Sequence, residues 1–420
     1  MSFIQSSTSN FVAIFIRIST GLALNKIAAI YLGPSGYAAM GQFQSILNVG
    51  SVLASGGLNT GLIRYTAEYE DCGESQKKIW RSAFLISTAC ALTTALFIFF
   101  FCQELSAYVL KNENHADLLI GLSGLMVFIT WTGLLLSILN GLKQLPRFIA
   151  ISVMGNVIGL ALASTLTIFF GFRGAIISLL GQQALIFLLA FVVCRKTVWF
   201  KMQNFFGKFD KKSTLKLLKF AAMGSVSALV AHGANFFIRN HLVEYYGWQE
   251  AGYWHAITRI SDLYFMILTV PMSFYYLPRL PRIRTSEALK LEILNGYKYL
   301  VPTSILLALN IYLLRYFITT ILLTKSFAPI EPLFFWQLLG DIMKIGSWFL
   351  SFIILVRSLS RLYIVTELLC GLSLVTFTIL FTSKMGTEGA VVAYALTYFL
   401  YWIALITIFK VLFKSAKQKI

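Results

Sequence analysis

The sequence predicts an all-α integral membrane protein: twelve transmembrane helices in two parallel-repeat six-helix bundles around a central cationic cavity, with both termini cytoplasmic. Three observations lead there. The 420 residues are 58% hydrophobic and 12% charged, with a mean hydropathy of +0.75; a soluble domain carries about 25% charged residues. The apolar runs are about 20 residues long, the length a helix needs to cross a bilayer. Their polar residues recur at intervals of three and four, which puts them on single helix faces. A transmembrane barrel would instead show short alternating segments separated by turn residues.

The spans run at about 10–32, 38–62, 82–104, 118–141, 148–171, 175–194, 217–239, 251–277, 296–314, 333–356, 362–382 and 390–410. The first holds Arg17 and Lys26. The second carries a polar stripe of Gln44, Asn48, Ser51, Ser55 and Asn59. The third to sixth are plainly apolar and lead into the basic segment 195–216, which reads as a cytoplasmic linker. The seventh has Ser225, His232, Asn235 and Arg239 on one face; the eighth has His255, Arg259 and Asp262. The ninth is followed by 315–332, where Phe317–Leu323 is apolar but too short to cross, and is expected to dip into the interface. The tenth carries Gln337, Asp341, Lys344 and Trp348, and the eleventh Glu367. Such faces inside lipid need protein or water against them, and their shared destination is a hydrophilic lumen between the halves. The plainer reading of the Ser and Asn stripe is glue between helices.

The net charge of +18 invites a nucleic-acid reading, but its distribution argues against one. With a cytoplasmic N-terminus, the loops on that side hold 25 Lys and Arg and the opposite loops 5. That bias is the positive-inside rule. The leader before the first span has no basic n-region, so no cleavable signal is expected. The five cysteines form no CxxC and read as free thiols, with no metal site.

The two halves resemble each other at one offset. Lys143-x-Leu145-x-Arg147 recurs as Arg357-x-Leu359-x-Arg361. Gly171-x-x-Gly174-Ala175 recurs as Gly386-x-x-Gly389-Ala390, and Tyr31-Leu32-Gly33 as Tyr245-Tyr246-Gly247. The expected division is 1–206 and 207–420. Six spans per half make the repeats parallel, and transporters so built hold substrate between the halves.

Five cations inside spans are the sharpest functional signal: Arg17, Lys26, Arg239, Arg259 and Lys344. A charge at the centre of a span costs roughly 2.5 kcal/mol or more, so it serves a protein interior or a water-filled path. Arg259 with Asp262 and Asp341 with Lys344 are each three apart, so either couple reads equally as a structural salt bridge. Arg17 lies near the cytoplasmic end, where a long Arg can reach the headgroups. It is half a turn out of phase with Lys26, and a kink near Thr20-Gly21 would be needed to aim both at one lumen. Under the repeat offset, Asn25-Lys26 falls on Arg239-Asn240. That matched couple suits an anionic headgroup, because Arg binds phosphate as a fork and Lys as a point charge.

Three stretches carry a family resemblance. Phe335-Trp336-Gln337-Leu338-Leu339-Gly340-Asp341-Ile342-Met343-Lys344 resembles a tenth-span motif of the Wzx-type lipid-linked oligosaccharide flippases. Gly252-Tyr253-Trp254-x-x-Ile257-x-x-Ile260-Ser261-Asp262, with Tyr276-Leu277-Pro278 after it, resembles their eighth span. The segment from Lys26 to Leu32-Gly33-Pro34-x-Gly36 resembles their first hairpin. The resemblance implies the superfamily of the MATE multidrug exporters and the lipid II flippase. It also implies translocation of undecaprenyl-diphosphate-linked oligosaccharide repeat units, O-antigen or a related surface polysaccharide, to the periplasmic leaflet of the bacterial inner membrane. The cavity cations that fit are Arg17, Lys26, Arg239 and Arg259, with Asn25, Gln44, Asn48, His232, Asn235 and His255 as further substrate-binding candidates. Asp262, Asp341, Lys344 and Glu367 are candidates for ion coupling or structural charge pairs. Expected partners are the lipid-linked glycan, the bilayer, and assembly proteins such as a polymerase or a chain-length regulator. No nucleic acid, metal or cofactor is expected, and no Gly-x-x-x-x-Gly-Lys-Ser/Thr segment occurs.

Two other readings compete. One is a multidrug or metabolite antiporter on the same fold, against which the excess of interior cations argues. The other is a membrane glycan polymerase, which needs a sizeable outer loop or a catalytic constellation. The longest outer segment, 315–332, offers only Arg315, Lys325 and Glu331, so the expectation is a transporter and not an enzyme.

Overall fold

The computed structural model describes residues 3–417 apart from 71, 207–209, 281, 282, 284 and 358. Lys208, Arg282, Arg284 and Lys419 of the basic loops therefore lie outside the described residues. Among those described the chain is helical throughout, with no strand. In order come α1 (Phe3–Ser55), α2 (Asn59–Glu68), α3 (Gly73–Phe100), α4 (Cys102–Leu110), α5 (Ala116–Gly141) and α6 (Leu145–Arg195). Then follow α7 (Lys211–Arg279), α8 (Ser286–Leu313), α9 (Arg315–Leu322), α10 (Phe334–Val356), α11 (Ser360–Met385) and α12 (Glu388–Lys417).

Among the described residues, seven helical stretches are long and apolar enough to cross a bilayer, or eight if the bent pair α8–α9 counts as one span. Two of the seven, Phe15–Ser55 and Leu145–Arg195, contain 41 and 51 residues. Each is far longer than the ~20 residues one crossing needs, and each is broken once. The break in α1 is at Gly33 (φ 62°, ψ −175°) and that in α6 at Gly171 (φ 56°, ψ −134°). The 69-residue α7 breaks at Gly247 (φ 86°, ψ 168°), and α11 stops at Gly386 (φ 61°, ψ −145°). Left-handed φ with extended ψ is glycine territory, because a Cβ would crowd the backbone there. After Gly33, Pro34 restarts the helix with its φ already set and no N–H to satisfy.

These breaks give the repeated sequence motifs a physical meaning. Gly33 and Gly247 are 214 positions apart, and Gly171 and Gly386 are 215 apart. The second glycine of each Gly-x-x-Gly serves a different need. A Cβ on Gly174 would overlap the carbonyl oxygen of Leu166, and one on Gly389 would overlap the Phe381 carbonyl. The first glycine turns the chain and the second lets the next helix start against the backbone of the last.

The chain divides into two compact units, Met1–Gly233 and Ala234–Ile420, so the boundary falls inside α7. In the first unit α1 packs on α6 and α3, and α5 lies against α3, α6 and α2. One core cluster gathers Leu58, Leu62, Ile79, Trp80, Ile138, Phe205, Leu217 and Ala221. Trp80 donates its indole N–H to Thr66 Oγ1 (3.0 Å), and Gln76 Nε2 donates to the Thr66 carbonyl (2.8 Å). The segment after α6 packs here too: Arg81 Nη2 donates to the Gln203 carbonyl at 2.9 Å, and Phe205 stacks on Trp80. In the second unit α10 is central, packed on α12 and α8, with α11 against α12. Tyr297 OH donates to the Gly346 carbonyl (2.8 Å) and accepts from the Trp402 indole (2.9 Å), tying α8, α10 and α12 together.

Both units expose large apolar side chains, among them Phe100, Phe169, Leu306 and Leu372, as a lipid-facing surface requires. α9 has eight residues, turns 73° from α8, and is followed by the 3₁₀ stretch Lys325–Leu333. The kink considered near Thr20-Gly21 is absent: α1 stays helical through both residues, and its break is at Gly33. Thr20 Oγ1 donates to the carbonyls of Ile16 (2.8 Å) and Arg17 (3.1 Å), which keeps that turn closed. All five cysteines are free thiols.

Candidate functional site

The polar residues within the helices form two clusters in the second unit and a looser set in the first. In the first unit, Arg17 is exposed and Lys26 half-buried. Asn25, beside Lys26, accepts a hydrogen bond from Tyr37 OH across the Gly33 break (3.1 Å). Gln44, Asn48 and His232 are half-buried. The hydroxyls of the α1 stripe turn back on their own helix, Ser51 to the Leu47 carbonyl (2.6 Å) and Ser55 to the Val52 carbonyl (3.0 Å).

The first cluster of the second unit centres on Arg239, 3% exposed within α7. Its Nη2 donates to His255 Nδ1 at 3.0 Å, and its guanidinium lies 5.6 Å from the centre of the Trp254 ring. Arginine has no acceptor atom, so His255 Nδ1 must accept and the imidazole carries its proton on Nε2. The Gly247 break interrupts α7 between these residues and lets Arg239 and His255 meet. Asn235 is half-buried, and Asn240 is 7% exposed. One turn beyond His255, Arg259 is half-buried while Asp262 is exposed.

The second cluster is built on α10. Asp341 is wholly buried, and Gln337 on the preceding turn is 1% exposed. Asp341 Oδ1 accepts from Tyr394 OH (2.8 Å), from Gln337 Nε2 (3.5 Å), and from the hydroxyl of Ser261. Gln337 Nε2 also donates to Ser261 Oγ at 3.1 Å. Three helices, α7, α10 and α12, thus converge on one carboxyl oxygen.

Here the structure corrects one reading of the sequence. Asp341 and Lys344 do not form a salt bridge. The Lys344 ammonium sits instead over three rings, 4.8 Å from the centre of Phe265, 5.4 Å from Tyr398 and 5.5 Å from Tyr394. Glu367 is likewise held by hydroxyls: its Oε1 accepts from Ser351 Oγ (2.8 Å) and Tyr401 OH (3.0 Å).

Several of these partners were not singled out from the sequence. Tyr394, Tyr398 and Tyr401 fall at intervals of four and three on α12, and that spacing alone puts them on one face. Trp254 and Ser261 stand in the eighth-span motif without an evident task. Ser351 has no sequence signal beyond its burial.

Helices of spanning length, hairpin-like glycine breaks and charge held inside the helices define a multi-pass α-helical membrane protein with a polar interior. The chain belongs to the polysaccharide biosynthesis protein family, whose model matches residues 4–284. It is similar to the lipid III flippases of Escherichia coli (strain K12) and Shigella flexneri, each 25% identical over 402 residues, covering 96% of this chain and 97% of theirs. In fold it is similar to a multidrug resistance MATE family transporter of the MOP superfamily in its inward-facing conformation. That match has a TM-score of 0.79 at 15% identity, covering 96% of this chain and 99% of the other. It is also similar to the lipid II flippase MurJ in an inward closed conformation, with a TM-score of 0.76 at 16% identity, covering 97% and 87%. The superfamily fold read from the sequence motifs is therefore the observed one, and these relatives are flippases and transporters rather than catalysts.

Proposed function

We propose that this protein is a flippase for a lipid-linked oligosaccharide, moving undecaprenyl-diphosphate-linked repeat units of a surface polysaccharide across the bacterial inner membrane. The observation that carries the reading is the match to the lipid III flippases along nearly the whole chain. The buried guanidinium of Arg239 supports it, because a cation in a spanning helix is the natural counterpart of a diphosphate. Twelve spans, in topological halves 1–206 and 207–420 with both termini cytoplasmic, form the frame of this proposal. Lys26 and Arg239 lead phosphate binding, and Arg17 and Arg259 add positive field. Asn25, Gln44, Asn48, His232, Asn235 and His255 hydrogen-bond the sugars. The polyprenyl tail stays in lipid.

The physics favours export. A diphosphate carries roughly two negative charges, and a negative interior helps each outward by about 2.3 kcal/mol per 100 mV. No ATP site is needed for that step.

The test is reconstitution of the purified protein into vesicles with a fluorescent polyprenyl-diphosphate oligosaccharide. Access of an external lectin to the glycan should rise with protein present and fall back with Arg239→Ala or Lys26→Ala. Equal access with and without protein would overturn the reading. Movement of cationic drugs instead of the glycan would favour the antiporter.

A further inference from the structure

The hydrogen bonds around Asp341 are lopsided in a way a carboxylate does not explain. All three donors, from Ser261, Tyr394 and Gln337, converge on Oδ1. Oδ2 is buried with no hydrogen-bond partner, and so is Oε1 of Gln337. Two acceptor oxygens lie buried on consecutive turns of α10 without a donor between them. In a charged carboxylate both oxygens carry the charge, and leaving one buried and bare is costly.

A single proton resolves both. A carboxylic acid has one accepting oxygen and one donating hydroxyl. With Oδ1 as the carbonyl oxygen, its three donors are accounted for. With the proton on Oδ2, the acid hydroxyl donates to Gln337 Oε1 while Gln337 Nε2 faces Oδ1, the paired arrangement of an acid and an amide. A metal cation would need several further oxygen ligands and room for its shell; the proton needs neither.

We infer that Asp341 is a proton-binding site, occupied in this conformation, with its proton shared with Gln337. The surrounding groups suit a site that also empties. Within electrostatic reach of Asp341 are Tyr264 and Asp262 on α7, Lys344 on α10 and Tyr394 on α12; Lys344 in turn is within reach of Cys370 on α11, which also feels Glu367. Lys344 is three residues from Asp341 and rests on aromatic rings rather than on the carboxyl. When the proton leaves, the new carboxylate draws the ammonium off the rings, and Lys344 fills the place of the proton. The site then has two states, protonated with Lys344 caged and ionised with Lys344 paired, which is the bistability that coupling to a proton gradient requires. That coupling rests on the flippase reading; the proton itself does not.

Infrared difference spectroscopy of the purified full chain in lipid nanodiscs tests the site without any transport assay. The wild type at neutral pH should show a carboxylic acid C=O band that disappears in Asp341→Asn and remains in Glu367→Gln. Asn supplies an N–H toward Gln337 and an oxygen toward Tyr394, so this variant mimics the occupied state and should fold. A Gln337→Met variant gives a second handle, since the band must move to the frequency of an acid lacking its amide partner. No acid band at neutral pH, or one unchanged in both Asp341→Asn and Gln337→Met, overturns the proposal. So does a band that vanishes when sodium replaces choline, because the ligand is then a metal cation. If the band behaves as expected but no glycan moves in vesicles, the flippase reading fails and the proton site stands.

Discussion

Arg239 Nη2 donates to His255 Nδ1 at 3.0 Å across the Gly247 break, so a buried cation is oriented by a neutral ring beyond the break in the same helix. His255→Ala removes that acceptor from a guanidinium N–H. Hydrogen bonds to charged groups contribute about 1.5–3 kcal/mol, and the loss should appear as a lower Tm of the detergent-purified protein. His255→Asn offers an amide oxygen near the position of Nδ1 and should recover most of it. Equal Tm values for the Ala variant and the wild type would show that the ring does not hold the guanidinium.

The paired glycines make a graded prediction. Gly386 combines a positive φ with a near-extended ψ but has open space where a Cβ would stand, so Gly386→Ala carries only the conformational penalty, about 1–3 kcal/mol. Gly389→Ala must push its Cβ into the Phe381 carbonyl and shift one helix off the other. Thermal unfolding should rank Gly389→Ala as the more damaging, and Gly171 and Gly174 should repeat that order in the first unit. A reversed order would mean that the turn, not the close approach, governs the hairpin.

This contrast bears on what the sequence made legible. The Gly-x-x-Gly pairs at Gly171 and Gly386 were readable because a break in a spanning helix leaves few residues able to perform it. The interior cations were readable because charge in an apolar run is rare. The partner of Lys344 was not. Helical spacing allowed Asp341, while three rings from α7 and α12 took the ammonium instead. Spacing along one helix cannot report which side chains a different helix delivers. Ser261 and Tyr394, which hold Asp341, come from 80 residues before it and 53 after.

Glu367 gives a further test of hydroxyl solvation. Its Oε1 accepts from Ser351 at 2.8 Å and Tyr401 at 3.0 Å. Glu367→Gln keeps an acceptor oxygen and should change stability little. Glu367→Leu leaves two hydroxyls without that acceptor, at about 1–3 kcal/mol for each group left unsatisfied. Denaturant unfolding in mixed micelles should separate the two variants clearly. A Leu variant as stable as the Gln variant would show that water replaces the carboxyl at this point.

The ring cage around Lys344 should be measurable as a coupling energy. The ammonium lies 4.8 Å from the Phe265 centroid, the shortest of its three ring contacts. Cation–π contacts contribute about 0.5–2 kcal/mol, more as the site is desolvated. Phe265→Leu alone confounds lost packing with lost attraction, so a double-mutant cycle with Lys344→Met is the appropriate design. In the wild-type background Phe265→Leu should cost more than in the Lys344→Met background, and the difference should fall within that range. A cycle that closes to zero would mean that the ring only fills space, and that Lys344 is placed by its own helix rather than by α7.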